Sequence, residues 1–311
     1  MSSTETTPAR RRTPQRRGDV VFAGLARGAG LAILAALAGV AFFLTLEGLP
    51  GLTAAEDAYS DHGNFLGYVW PLVFGTVLAA LIALVIATPL SVGVALVISH
   101  YAPPRFSKPL GYVVDLLAAI PSVVYGLWGI NFLATRLVPG YQALEENLGW
   151  LPFFAGPTAT TGRTILTAGI VLAVMILPII TAIAREIFMQ TPKLNEEAAL
   201  ALGATRWEMI RMSVFPYARS GLVSAVMLGL GRALGETMAV AMVLSATGVV
   251  TFNLISPGNP STIAANIALQ FPESSGDRIN VLVATGLVLF LVTFAVNFAA
   301  RLVVARSEIK A

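Results

Sequence analysis

Two full charges stand inside the stretch LGLGRALGETMAVAMVL, residues 228–244: Arg232 and Glu236. From 221 to 250 the chain is otherwise aliphatic, small or hydroxylic. At i,i+4 spacing the two side chains share one face of a continuous helix and can pair. A guanidinium offers a rigid fork of donors matched to oxyanion geometry. A carboxylate one turn on would neutralise the arginine when no anion is present. It would also accept a hydrogen bond from a protonated oxyanion such as hydrogen phosphate. The chemistry these residues suggest is reversible anion capture.

The setting makes such capture the better reading. If a span begins near Ser220, Arg232 lies about 18 Å along it at 1.5 Å per residue, close to the middle of a bilayer. An ionisable residue there costs roughly 3 kcal/mol on insertion scales. An i,i+4 pair returns only a few tenths of a kcal/mol in an aqueous helix, and a buried pair need not outperform an apolar one. Small side chains on the same face, Ser224, Ala225, Gly235 and Ala239, leave room for a ligand or pore. A purely structural ion pair is the rival reading.

The elements that must position these charges follow from composition. Of 311 residues, 56% are hydrophobic and 12% charged, about half the charged fraction of an ordinary soluble domain. Apolar runs stand at roughly 20–46, 68–99, 111–134, 164–184, 220–248 and 281–304. Each is long enough for a hydrocarbon core that needs roughly 20 residues per helix. The first is too long for a signal-peptide core, and predicts a retained helix. Tyr68 and Trp70 fit an interfacial anchor. The fold class predicted is an all-α polytopic membrane protein of six spans.

Basic residues orient it. The N-terminal tail holds Arg10, Arg11, Arg12, Arg16 and Arg17. With that tail inside, the inner loops gain Arg105, Lys108, Arg185, Lys193, Arg206, Arg211 and Arg219, and the C-terminus Arg306 and Lys310. The outer loops keep only Arg136, Arg163 and Arg278, and carry Glu56, Asp57, Asp61, Glu145, Glu146, Glu273 and Asp277. Lysine and arginine are retained on the cytoplasmic side, which predicts both termini there. The chain then divides into a basic tail over 1–19, a first helix and outer loop over 20–67, a core over 68–304, and a short tail over 305–311. The basic tail suits anionic lipid headgroups beside a first span better than nucleic acid.

Several chemistries are excluded. There is no Gly-Lys dipeptide, hence no phosphate-cradling G-x-x-x-x-G-K-[ST] loop. GLGRALG at 229–235 has the spacing G-x-G-x-x-x-G with no preceding strand, and suits close helix approach better than a dinucleotide. H-E-x-x-H, G-x-S-x-G and cysteine are all absent, and His62 and His100 are far apart. Catalysis by this chain and a bound metal or cofactor find no support. Asp115 suits interfacial capping, and Arg185 with Glu186 suits anchoring of a helix end. Pro71, Pro89, Pro121 and Pro178 interrupt membrane segments, where neighbouring helices can absorb the break.

The inner loop at 194–216 has its own pattern. Pro192 closes the preceding helix, and Asn195 can cap a new one whose first turn holds Glu196 and Glu197, favoured by the helix dipole. Leu194, Ala198, Ala201 and Leu202 form an apolar stripe, Gly203 stops the helix, and a second short helix runs from about Thr205 to Val214, ending at Pro216. Two short helices at the membrane face would offer a compact knob to a partner.

Glu197-Ala198-Ala199-x-x-x-Gly203 resembles the E-A-A-x-x-x-G docking loop of ABC importer permeases. Pro216 keeps the register of that family's terminal I-x-L-P, although Ser213-Val214-Phe215 replaces the preceding residues. GLGRALGETMAV and AIPSVVYGLWG (119–129) are similar to the fifth- and third-span segments of PstC-type permeases of phosphate ABC importers, a likeness running from about Pro71 to Arg301. The resemblance implies the type I importer permease fold in a bacterial inner membrane. It implies a PstA-like sister permease, a PstB-like cytoplasmic ATPase dimer docking at Glu197, Ala198, Ala199, Gly203 and Pro216, and a PstS-like extracytoplasmic phosphate-binding protein. It places Arg232 and Glu236 on the phosphate path. A sulfate or molybdate permease is the near alternative. An ion-coupled secondary transporter would show an internal repeat with paired broken helices, and a scaffold protein would make the charges structural.

Overall fold

The computed structural model describes residues 17–59 and 62–308. The basic tail as far as Arg16, Asp61 and Lys310 lie outside the described residues. Among the described residues twelve α-helices follow one another: α1 (Arg17–Gly48), α2 (Phe65–Leu96), α3 (Pro104–Ala118), α4 (Ser122–Trp128), α5 (Ala134–Leu148), α6 (Ile165–Met189), α7 (Lys193–Ala201), α8 (Arg206–Met209), α9 (Phe215–Leu234), α10 (Met238–Val243), α11 (Ile263–Gln270) and α12 (Asp277–Glu308). Among the described residues the only extended pairing is a bridge between Ala246 and Asn259. Among the described residues five helices are long and apolar enough to cross a membrane, and six if α3 with α4–α5 counts as one bent span.

The centre of the bundle is α2 against α6. An alanine stripe on α2, Ala79, Ala80, Ala83 and Ala87, is fully buried with Ala168, Val171, Leu172 and Ile176 of α6. Such small residues let backbones approach closely where the solvent is as apolar as the core. Pro89 and Pro178 sit inside these helices without ending them. Hydroxyls stitch the two together there: Ser91 donates to the Leu177 carbonyl at 3.0 Å, and Thr181 donates to the Ser91 carbonyl. Two further buried clusters cap this core, one around Tyr59, Tyr68, Ile263 and Val281, the other around Phe188, Met209, Ile210 and Val214. The apolar stretch of α1 is left uncovered; α1 approaches α12 where Gly48 abuts Ala284.

Two of the anticipated spans are broken. The run at 111–134 is not one helix, because α3 meets the segment Ser122–Leu148, α4 through α5, at 89°. Pro121 has no N–H to give the ladder and biases its predecessor away from helical geometry. The Tyr125 hydroxyl bridges the break by donating to the Leu117 carbonyl at 2.9 Å. The run at 220–248 starts earlier and stops sooner: α9 begins at Phe215 and ends at Leu234, where Gly235 caps it. Glycines 231 and 235 weaken a helix that must end there. Pro216 does not terminate a helix either; it occupies the first turn of α9, where its missing N–H costs nothing.

Candidate functional site

The end of α9 decides the geometry of the two charges. Arg232 lies in its last turn, where a cation complements the carbonyl end of the helix dipole. Its exposed guanidinium lines a cavity of about 810 Å³ between α6, α9 and α12, walled by Ile179, Ser224, Met227 and Asn297 among others. Among the described residues no carboxylate comes within 4.0 Å of it.

Glu236 corrects the sequence expectation. It is buried at 7% exposure and falls beyond the helix end, so it does not pair with Arg232. Its Oε1 instead accepts the Ala239 backbone N–H at 3.0 Å, which satisfies an otherwise unpaired donor in the first turn of α10. An i,i+4 ion pair needs an unbroken helix, and the Gly235 turn removes it. α10 in turn packs on α4: a Cβ added at Gly126 would meet Ala239 Cα at 3.0 Å. Glu236 therefore sets the seat of α10, and Arg232 is left without a counter-ion of its own.

A double-mutant cycle reads this out. Glu236→Ala is expected to lose about 1 kcal/mol of stability, the usual worth of a capping group. Its effect on thermal unfolding of the purified subunit should add to that of Arg232→Ala within about 0.5 kcal/mol, as for sites that share no contact. A larger coupling would restore the ion pair.

The loop after α6 folds into the anticipated pair of short helices with altered caps. α7 starts at Lys193 with Pro192 at its cap, and Asn195 lies inside it, its carbonyl accepting the Ser213 hydroxyl at 3.2 Å. Gly203 stops α7 with φ +87°, a left-handed conformation suited to glycine. Thr205 caps α8 in a reciprocal box with Glu208. α7 buries Ala199 against the cluster around Met209 and Val214, while Glu197, Ala198, Gly203 and Pro216 stay exposed. Leu194 and Leu202 stand out at 78% and 90% exposure. The stripe is thus bared rather than seated on the body of the subunit. His100, read as interfacial, joins body to loop: its Nε2 lies 3.6 Å from Glu196 of α7. Asp115 and Arg185 approach to 3.7 Å and tie α3 to α6.

Other polar residues escaped the sequence reading. Arg163 donates to the carbonyls of Met242, Val243 and Leu244 at the end of α10. Asn297 and Arg301, one turn apart on α12, line the same cavity as Arg232. Their i,i+4 spacing on an apolar helix was the signal available.

The comparisons with known proteins give these features a family. Residues 87–309 match the binding-protein-dependent transport system inner membrane component. The chain belongs to that family. It is 47% identical over 300 residues to "Phosphate transport system permease protein PstC 2" of Mycobacterium tuberculosis, covering 93% of this chain and 92% of that one. It is 41% identical over 276 residues to a phosphate transport system permease protein PstC of Xylella fastidiosa, covering 87% and 80%. A solved structure of the MetNI methionine ABC transporter superposes with a TM-score of 0.53 at 18% identity, over 76% of this chain and 93% of that one. That likeness establishes the fold of an ABC importer permease. The protein is a multi-pass membrane transport component of the PstC type, and such a permease operates with an ATPase and further subunits.

Proposed function

We propose that this chain is the inner-membrane permease subunit of an ATP-driven phosphate importer, with both termini cytoplasmic, forming half of the translocation path. The partners are a sister permease like PstA, a cytoplasmic ATPase dimer like PstB, and an extracytoplasmic phosphate-binding protein like PstS. The observation that carries the reading is an arginine with no carboxylate partner among the described residues, facing a cavity of about 810 Å³. A fixed cation in a low-dielectric setting favours an oxyanion that can stand in for water.

In this mechanism the binding protein delivers phosphate from outside and Arg232 receives it as a transient ligand. The guanidinium is exposed to the cavity, so solvent competes for it and the bound state is shallow enough to release. Glu236 serves the path by holding α10 at the break. ATP-driven movement reaches the helices through the loop at 194–216, where the bared side of α7 and the Gly203 turn dock on the ATPase beside Glu197, Ala198, Ala199 and Pro216. α8 runs on through a π-helical turn into α9. A push on the docked loop therefore moves the helix that carries Arg232.

Uptake of labelled phosphate by the reconstituted complex, with and without excess sulfate, tests the substrate. ATP-dependent uptake indifferent to sulfate is expected. Strong competition by sulfate or molybdate would move the assignment to a broader oxyanion carrier.

A further inference from the structure

The cavity that receives Arg232 holds a second guanidinium, Arg301 of α12. Both are exposed, and among the described residues neither has a carboxylate within 4.0 Å. The remaining wall is largely apolar, Ile179, Val223, Met227 and Leu228, apart from Ser224 and Asn297. The Ser224 hydroxyl is occupied in donating to the Ser220 carbonyl at 3.0 Å. Two uncompensated cations facing one apolar cavity repel each other and favour an anion between or beside them.

Chain direction separates the two. Along α9 the cavity runs from Val223 to Arg232, about 13 Å of helix rise. α12 crosses in the opposite sense: its start, at Val281 and Ala284, packs with Tyr68 at the first end of α2, whereas the start of α9, at Ala218, packs with Leu96 at the last end of α2. Arg301 therefore faces the Val223 end, nearer the cytoplasm in the orientation proposed above, with Asn297 one turn closer to Arg232.

We propose that Arg301, with Asn297 beside it, forms a second anion station in the cavity, to which a phosphate-class oxyanion passes from Arg232 on its way to the cytoplasm. The inference rests on the permease reading of Arg232. Transfer between two shallow sites lowers the barrier that a single midplane cation would leave on its exit side. Asn297 supplies amide donors between the two forks.

The same chemistry would also hold an anionic lipid headgroup, and the experiment distinguishes the sources. ATP-dependent uptake of labelled phosphate is measured for the complete complex carrying Arg301→Gln, Arg301→Lys or Arg232→Gln. Each is reconstituted in phosphatidylcholine alone and with added phosphatidylglycerol. Subunit capture and binding-protein-stimulated ATP hydrolysis are followed in parallel. Arg301→Gln should cut the maximal uptake rate about tenfold, a barrier change near 1.4 kcal/mol, equally in both lipid mixtures. Arg301→Lys should recover most of the rate, and capture and ATP hydrolysis should persist. Normal uptake by Arg301→Gln beside failed uptake by Arg232→Gln would sink the second station alone. Normal uptake by both would sink the permease reading of Arg232 as well. A deficit confined to phosphatidylglycerol would assign Arg301 to a headgroup, and loss of subunit capture would assign it to the sister subunit; either overturns the hand-over.

Discussion

Arg232→Ala is expected to abolish ATP-driven phosphate uptake, by about a hundredfold or more, while the subunit stays folded and keeps its ATPase. Deleting one preorganised donor to a developing or transferred anion commonly costs two to three powers of ten, about 3–4 kcal/mol. Among the described residues Arg232 has no carboxylate to strand when it is removed, so the usual penalty of orphaning a buried ion does not arise. Removing an intramembrane cation should relieve, not add, insertion cost. The thermal midpoint of the purified subunit should therefore hold or rise while transport disappears. Arg232→Lys should retain part of the rate, since it preserves the charge but loses the planar fork. Full uptake by the alanine variant would make the arginine a structural residue and leave the cavity without its ligand.

Gly203→Asp is expected to release the ATPase from the permease, measured by capture of the ATPase on the tagged complex. Nothing lies within 4 Å of a Cβ built at Gly203, so the side chain meets no steric obstacle. The cost is the left-handed backbone at φ +87°, on the order of 1–2 kcal/mol for an L-residue and least for Asn or Asp. The subunit folds, and what changes is a charge set beside Leu202 on the bared side of the loop. Leu202→Asp, which carries no backbone strain, should have the same effect. Uptake should fall with capture in both variants. Capture that survives both substitutions would mean that the ATPase docks elsewhere. Arg232→Ala, by contrast, should keep capture intact, which separates docking from conduction.

Much of this was fixed by local chemistry. Long apolar runs have few ways to satisfy their backbone in lipid, so helices were dictated by composition. The turn at Gly203 and the α7–α8 pair were legible because a glycine stop between two short amphipathic stretches is a short-range device, whereas the Thr205–Glu208 box that caps α8 emerged only in the structure. The two breaks were less so. Pro121 was visible in the sequence, but whether a proline kinks or merely interrupts depends on its neighbours: Pro89 and Pro178 lie within unbroken helices stitched by Ser91 and Thr181. At Gly235 two glycines permitted an ending, and the Glu236 cap on α10 made it favourable. The sequence by itself determined that Arg232 and Glu236 stand in a membrane helix region, and that the loop after α6 is a docking candidate. Only the tertiary structure decided that the charges do not pair, and that Asn297 and Arg301, 65 and 69 residues beyond Arg232, share its cavity. Pairing at i,i+4 is a property of one continuous helix, whereas a shared cavity is made by packing α6, α9 and α12 together, which no spacing along the chain encodes.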